Sequence, residues 1–191
     1  MRDLTTASPE VDSMLTRTDE LIERVGLNTA GFQEIYTLWL TRVYQYVYAR
    51  VGSLNDTEDL TSQIFLKAYE AFPRYKHRGH FAAWLFTIAR NQINMFYRGR
   101  KSVEVSLDVV EHANSDQDVL NTIVNSGEID QLKQIISTLP AREQELIYLR
   151  YVTEMKFSDM ALVLGRKEDA VKKSLYRLQT RLQKMLEEDH E

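Results

Sequence analysis

Apolar side chains recur at three- and four-residue steps in two separate parts of this chain, and the 26 residues from Ser102 to Gly127 between them carry no sustained period. That spacing lines one face of a helix and fits no strand, so each part must bury its stripe against other helices. Phe32, Ile35, Trp39, Val43 and Val47 mark a helix over about 31–49. Leu60, Ile64, Ala68 and Phe72 mark a second, which Asn55 or Asp56 can cap and Pro73 stops. A third, over about 81–97, buries Trp84, Leu85, Ile88 and Ala89 and ends at Gly99. Past the interruption the apolar residues resume with Ile129, Leu132, Ile135, Ile136 and Leu139. Pro140 then opens a helix over about 141–151, followed by one at 157–164, Gly165, and a long basic helix from Lys167. Seven Gly and three Pro in 191 residues are too few for a turn-rich all-β protein. The expected fold is all-α, two small helical domains joined by a flexible acidic linker with one short helix near 119–124. Residues 1–28 read as a loose extension with a short helix around 13–25.

The net charge of -4 argues at first against a nucleic-acid partner, but the charge is segregated. Residues 71–103 hold seven Lys and Arg (Arg74, Lys76, Arg78, Arg90, Arg98, Arg100, Lys101) and no acid. Residues 166–184 hold seven more (Arg166, Lys167, Lys172, Lys173, Arg177, Arg181, Lys184) against two acids. Residues 102–131 hold seven acids and no Lys or Arg. Two basic modules are thus joined by an acidic strap.

The second module has the arithmetic of a helix-turn-helix. Ala161 is small where two helices cross, Gly165 suits a turn with positive φ, and Val171 anchors the second helix. That helix buries Val171, Leu175, Leu178, Leu182 and Met185. Its other face offers Lys167, Lys172, Lys173, Arg177 and Arg181 to phosphates and base edges in a major groove. A solvated basic helix in a hairpin would share these features. In the first module, Phe72, Tyr75, Phe81, Trp84, Phe86, Phe96 and Tyr97 are set among the bases, as in proteins that grip single strands by stacking. Trp84, Phe86 and Phe96 read in part as core, and Tyr75 and Tyr97 as the rings to expect at the surface.

These residues resemble the extracytoplasmic-function group of the sigma-seventy family of bacterial RNA polymerase sigma factors. Residues 57–68 (Thr-Glu-Asp-Leu-Thr-Ser-Gln-Ile-Phe-Leu-Lys-Ala) resemble the family's polymerase-binding segment, and residues 81–91, with Arg98 beyond, its promoter-melting segment. Leu139-Pro140-Ala141-Arg142 and the helix-turn-helix resemble the region that reads the minus-thirty-five element. The resemblance implies an extension at 1–28, a clamp-binding, minus-ten-reading and melting domain at 29–101, a linker at 102–128 and a minus-thirty-five-reading domain at 129–191. It implies polymerase binding by Glu58, Asp59, Leu60, Gln63 and Phe65. Minus-ten contacts would fall to Arg74, Tyr75, Lys76, His80, Trp84, Arg90, Asn91 and Arg98, and minus-thirty-five contacts to Arg150, Lys167, Lys172, Lys173, Ser174 and Arg177. The implied partners are core RNA polymerase, through its β′ clamp helices and β flap, promoter DNA as duplex and as melted non-template strand, and an anti-sigma factor. The chain departs from the family pattern at Gln63, where Glu is usual, and at Met95, where Asp is common. It departs again at Glu154, where Gly is frequent, and at Lys172-Lys173-Ser174, where Arg-Ser-Arg is common.

Other chemistries find little support. There is no Cys, which removes disulfides and thiolate metal sites. His77 and His80 stand in a basic loop that repels a cation, and no catalytic constellation stands out, so the expected protein is not an enzyme and has no cofactor. No apolar run reaches the roughly 18 residues of a membrane span, and the acids near the N-terminus fit no signal peptide, so the expected location is cytoplasmic, without membrane insertion. On the residues alone, Glu58 and Asp59 equally suit a solvated first helical turn. A duplex-binding regulator that works without polymerase, a helical enzyme, and an interaction protein that no longer starts transcription stay open as alternatives.

Overall fold

The computed structural model describes residues 9–25, 28–76, 79–104 and 134–188. It comprises α1 (Pro9–Val25), α2 (Thr29–Val51), α3 (Leu54–Ala71), a 3-10 turn (Phe72–Arg74), α4 (Phe81–Glu104), a helical stretch at 134–138, α5 (Ala141–Ile147), a π turn (Tyr148–Val152), α6 (Phe157–Leu164) and α7 (Glu168–Glu188). No strand occurs among the described residues. Residues 105–133, with the short helix expected near 119–124 and with Ile129 and Leu132, lie outside them, as do His77 and Arg78.

Local chemistry sets most of the boundaries. The Asn28 side chain accepts from the Gly31 N–H at 3.0 Å and starts α2, while Gly52, at φ 74, donates its N–H to Tyr48 O and stops it. The cap of α3 is Ser53, two residues before Asn55 and three before Asp56, the expected caps. Its hydroxyl accepts from Asp56 N, and the Thr57 hydroxyl closes back on Ser53 O at 2.6 Å. Gly99 does not end α4, which continues to Glu104; its φ is not positive, and an exposed helix tolerates glycine at a cost of about 1 kcal/mol.

The first half is a helical bundle around α2, whose Ile35, Trp39, Val43, Tyr46 and Val47 are completely or almost completely buried. Phe86 of α4 meets Trp39 and Tyr46 edge-on at ring separations of 6.3 and 5.3 Å. The expectation of a loose N-terminal extension is corrected: α1 packs on α2, burying Leu21 and Ile22, and Trp39 Nε1 donates to the Thr18 hydroxyl at 2.9 Å inside the core. Met14, Thr18 and Leu21, with Leu15 and Ile22 beside them, form a short stripe of helical period that supplies this face.

In the second half, α5, the π turn, α6 and α7 enclose Leu146, Leu149, Met155, Phe157, Met160, Val171, Leu175 and Leu178. This half lies against the first: α6 packs on α4 and the π turn on α2, so the buried residues of both halves form one contiguous apolar cluster. Gly165 turns the chain between α6 and α7 at φ 63, with open space where a Cβ would stand. Gly165→Ala should therefore lower stability by about 1–2 kcal/mol through backbone strain alone, read as an earlier urea midpoint with unchanged slope.

Candidate nucleic-acid interface

The helix-turn-helix is built as its spacing requires. Ala161 is buried where α6 crosses its neighbours, and the N–H groups of Gly165 and Arg166 donate to Leu162 O and Ala161 O at 3.3 and 3.0 Å, closing the turn. Val171, Leu175 and Leu178 bury one side of α7, Lys173 and Arg177 stand exposed on the other, and Lys167 is exposed just ahead of the helix. Lys172 is half-buried, 2.8 Å from Glu168 across one helical turn and above the Phe157 ring. The hydrogen bond it donates to the Glu168 carboxylate raises its pKa and keeps it cationic. Ser174 accepts from Arg166 at 2.8 Å and donates to Ala170 O. Arg150 is placed differently from the expectation of a backbone contact. It is buried, donates to Met155 O at 2.6 Å and lies over the Phe157 ring, where burial lowers its pKa. Its guanidinium holds the loop that leads into α6.

In the first half, Arg74, Lys76, Asn91 and Arg98 are exposed. The stacking ring is not where it was expected. Tyr75 is 8% exposed, edge-on to Phe81 at 5.5 Å and tilted against Trp84 at 4.9 Å. Hydrophobic contact with both rings draws it inward and leaves half-buried Trp84 as the more accessible aromatic surface. Tyr97 is partly exposed, but its hydroxyl donates to Arg50 O, tying α4 to the end of α2.

On α3, Glu58, Asp59 and Gln63 are exposed, with Gln63 four and five residues after the two acids. Leu60 and Phe65, which the family resemblance groups with them as polymerase-binding, are 3% and 4% exposed and belong to the core side of the same helix. Asp59 and Gln63 line a groove of about 290 Å³ with Asp56, Leu60, Gln92, Met95 and Phe96. Two departures from the family pattern, Gln63 on α3 and Met95 on α4, thus face one depression.

The remaining candidates, His80 and Arg90, meet the second half of the chain. His80 Nδ1 is 2.8 Å from the buried Asp159 carboxylate, and Arg90 donates to Val163 O at 3.5 Å with its Nε 3.9 Å from Glu145. Glu145, itself buried, also pairs with Arg50 and accepts from the Tyr46 hydroxyl, which burial pushes up to about 12 and so keeps protonated. Arg42 Nη2 is 3.3 Å from Glu154, Nη1 donates to Thr153 O, and Nε is 3.1 Å from the Met14 sulfur. Periodicity missed this polar set. Its only trace is that Arg42 and Arg50 flank an otherwise apolar stripe on α2 and that Glu145 precedes Leu146 and Ile147.

Family models for sigma-70 region 2 and sigma-70 region 4 match residues 35–103 and 129–182. The ECF RNA polymerase sigma factor BldN of Streptomyces coelicolor is 34% identical over 189 residues, covering 95% of this chain and 70% of its own. The ECF RNA polymerase sigma factor SigD of Mycobacterium tuberculosis is 25% identical over 183 residues, covering 92% and 86%. Among solved structures, the sigma factor RpoE of Bartonella quintana, in complex with the anti-sigma factor NepR, superposes with a TM-score of 0.70 at 23% identity. That match covers 83% of this chain and 98% of that one, and shows the fold.

Proposed function

Since this chain belongs to the extracytoplasmic-function group of RNA polymerase sigma factors, which direct transcription initiation, we propose a division of labour between its halves. Residues 29–101 bind the β′ clamp helices through the exposed side of α3, with Glu58, Asp59 and Gln63 as the contacting groups. The same half takes the minus-ten element with Arg74, Lys76, Trp84, Asn91 and Arg98 on the melted non-template strand, joined by His80 and Arg90. Residues 129–191 set α7 in the major groove of the minus-thirty-five duplex and meet the β flap. The acidic linker at 102–128 spans the two. The chain contributes specificity, and the chemistry of RNA synthesis belongs to the polymerase, so it works in the cytoplasm without a cofactor or catalytic residues of its own. An anti-sigma factor is the expected regulator, as in the solved RpoE complex with NepR.

The observation that carries the DNA-reading role is the two-sided character of α7, where Lys173 and Arg177 stand exposed opposite buried Val171, Leu175 and Leu178, with exposed Lys167 just ahead of it. Lys173→Ala should weaken binding to all duplexes about equally and lower the salt slope by about 1, whereas Arg177→Ala should cost about 1–3 kcal/mol at one base pair and relax its identity. Binding titrations at several salt concentrations against a set of single-base variants distinguish the two. The role as a whole is tested by reconstitution with core polymerase, mapping of the transcripts, and permanganate footprinting of the minus-ten thymines. Specific starts that depend on the chain, with opening weakened by Asn91→Ala, are the expected result. Polymerase that starts no specific transcript with the chain present would reject it.

A further inference from the structure

We propose that Asp169, on the first turn of α7, is a sequence-determining contact that selects a cytosine in the minus-thirty-five duplex. The inference rests on the reading of α7 as the major-groove helix, and adds to its cations an acceptor. Asp169, Lys173 and Arg177 follow one another at four-residue steps and are all exposed, while Val171, Leu175 and Leu178 are buried on the opposite side. Side chains four apart on a helix stand one above the other, so the carboxylate shares the stripe of Lys173 and Arg177. Neighbouring polar groups are already engaged. Glu168 holds the Lys172 ammonium at 2.8 Å. Ser174 accepts from Arg166 at 2.8 Å and donates to Ala170 O at 2.8 Å, so neither its proton nor its acceptor is free to face a base. Among the described residues no hydrogen bond or ion pair engages the Asp169 carboxylate, which acts on Lys172 only through space.

A carboxylate in this place changes what the helix can bind. Phosphates repel it, so every duplex that α7 enters carries a cost unless a donor compensates. In the major groove the base donors are the amino groups of cytosine N4 and adenine N6. Adenine also presents its N7 acceptor beside the amino group, which turns away the second carboxylate oxygen, whereas the cytosine edge is a donor alone. Asp169 therefore fits cytosine. Its position is the right one for a base contact, because the N-terminal residues of the second helix of a helix-turn-helix are those that meet base edges. Lys173 and Arg177 are donors and take guanine O6 and N7 or phosphates. One acceptor and two donors on a single stripe read a pattern that cations alone cannot. Asp169 also works by exclusion, since a base that sets another acceptor against the carboxylate is penalised. An acid in the first turn favours the helix itself, but that effect is blind to DNA sequence.

The test reconstitutes the full chain with core polymerase and offers it a pool of promoter-length duplexes randomised in sequence. Bound duplexes are sequenced for the parent, for Asp169→Ala and for Asp169→Asn, and circular dichroism verifies that each chain keeps its helical fold. The expected result for the parent is a cytosine preferred about tenfold at one position of the upstream element, the lower range for a direct base contact. Asp169→Ala should flatten that position alone, and should bind duplexes lacking the cytosine more tightly than the parent does. Asp169→Asn should move the preference at the same position toward adenine, whose N6 and N7 suit a carboxamide. Base preferences that are identical in all three chains overturn the inference and leave Asp169 a helix-terminus charge. So do preferences that weaken together at every position, the mark of a general field. A parent that enriches no upstream element at all removes the DNA-reading assignment of α7, and this contact with it.

Discussion

Removing residues 1–25 should destabilise the protein by about 3–6 kcal/mol, because Leu21 and Ile22 together leave a buried apolar environment, each contributing about 1.5–3 kcal/mol. The truncation also strips the hydroxyl acceptor from the Trp39 indole, a buried donor that then lacks its Thr18 partner. Urea unfolding of the full and shortened chains, followed by circular dichroism, measures the difference. An unchanged midpoint would show that α1 lies on the bundle without supporting it. Because α1 also brings Met14 against Arg42, the shortened chain should hold its halves together less tightly.

Asp59→Arg should weaken the complex with core polymerase at least tenfold, about 1.4 kcal/mol, since it reverses a charge at the centre of the proposed clamp surface. Asp59 is exposed, so the same substitution should leave the melting temperature nearly where it was. The pairing of the two measurements matters: lost binding with intact stability identifies a contact surface, while joint loss would indicate damage to the fold. Competition against a labelled parent chain for core polymerase gives the affinity. Equal competition by the two chains would remove α3 as the clamp-binding element.

The part of the site that was legible in the sequence is the part that faces away from the core. Glu58, Asp59 and Gln63, and likewise Lys173 and Arg177, could be placed on helical surfaces from their spacing alone, because a helix repeats every 3.6 residues whatever it packs against. Aromatic residues defeat the same reasoning. Tyr75 sits in a basic loop beside Arg74 and Lys76, yet Phe81 and Trp84 draw its ring inward, an outcome set by residues brought close through the fold. Arg150, which the family resemblance assigns to DNA, is buried instead. Its long stem and fork suit a buried loop whose carbonyl needs a donor, and no helical period reveals that need.

By itself, then, the sequence determined the helices, the crossing at Ala161 and the left-handed turn at Gly165, because backbone hydrogen bonding, steric allowance and amphipathic period are local properties of the chain. Family membership was also legible, since it resides in the order of local motifs. Only the tertiary structure decided that α1 is part of the core and that Tyr75 and Arg150 turn inward. It alone decided, too, that His80, Arg90 and Arg42 meet Asp159, Glu145 and Glu154 across more than fifty intervening residues. Such pairs carry no period and no composition signal, because the energy of burying a charge depends on which opposite charge the folded chain places beside it.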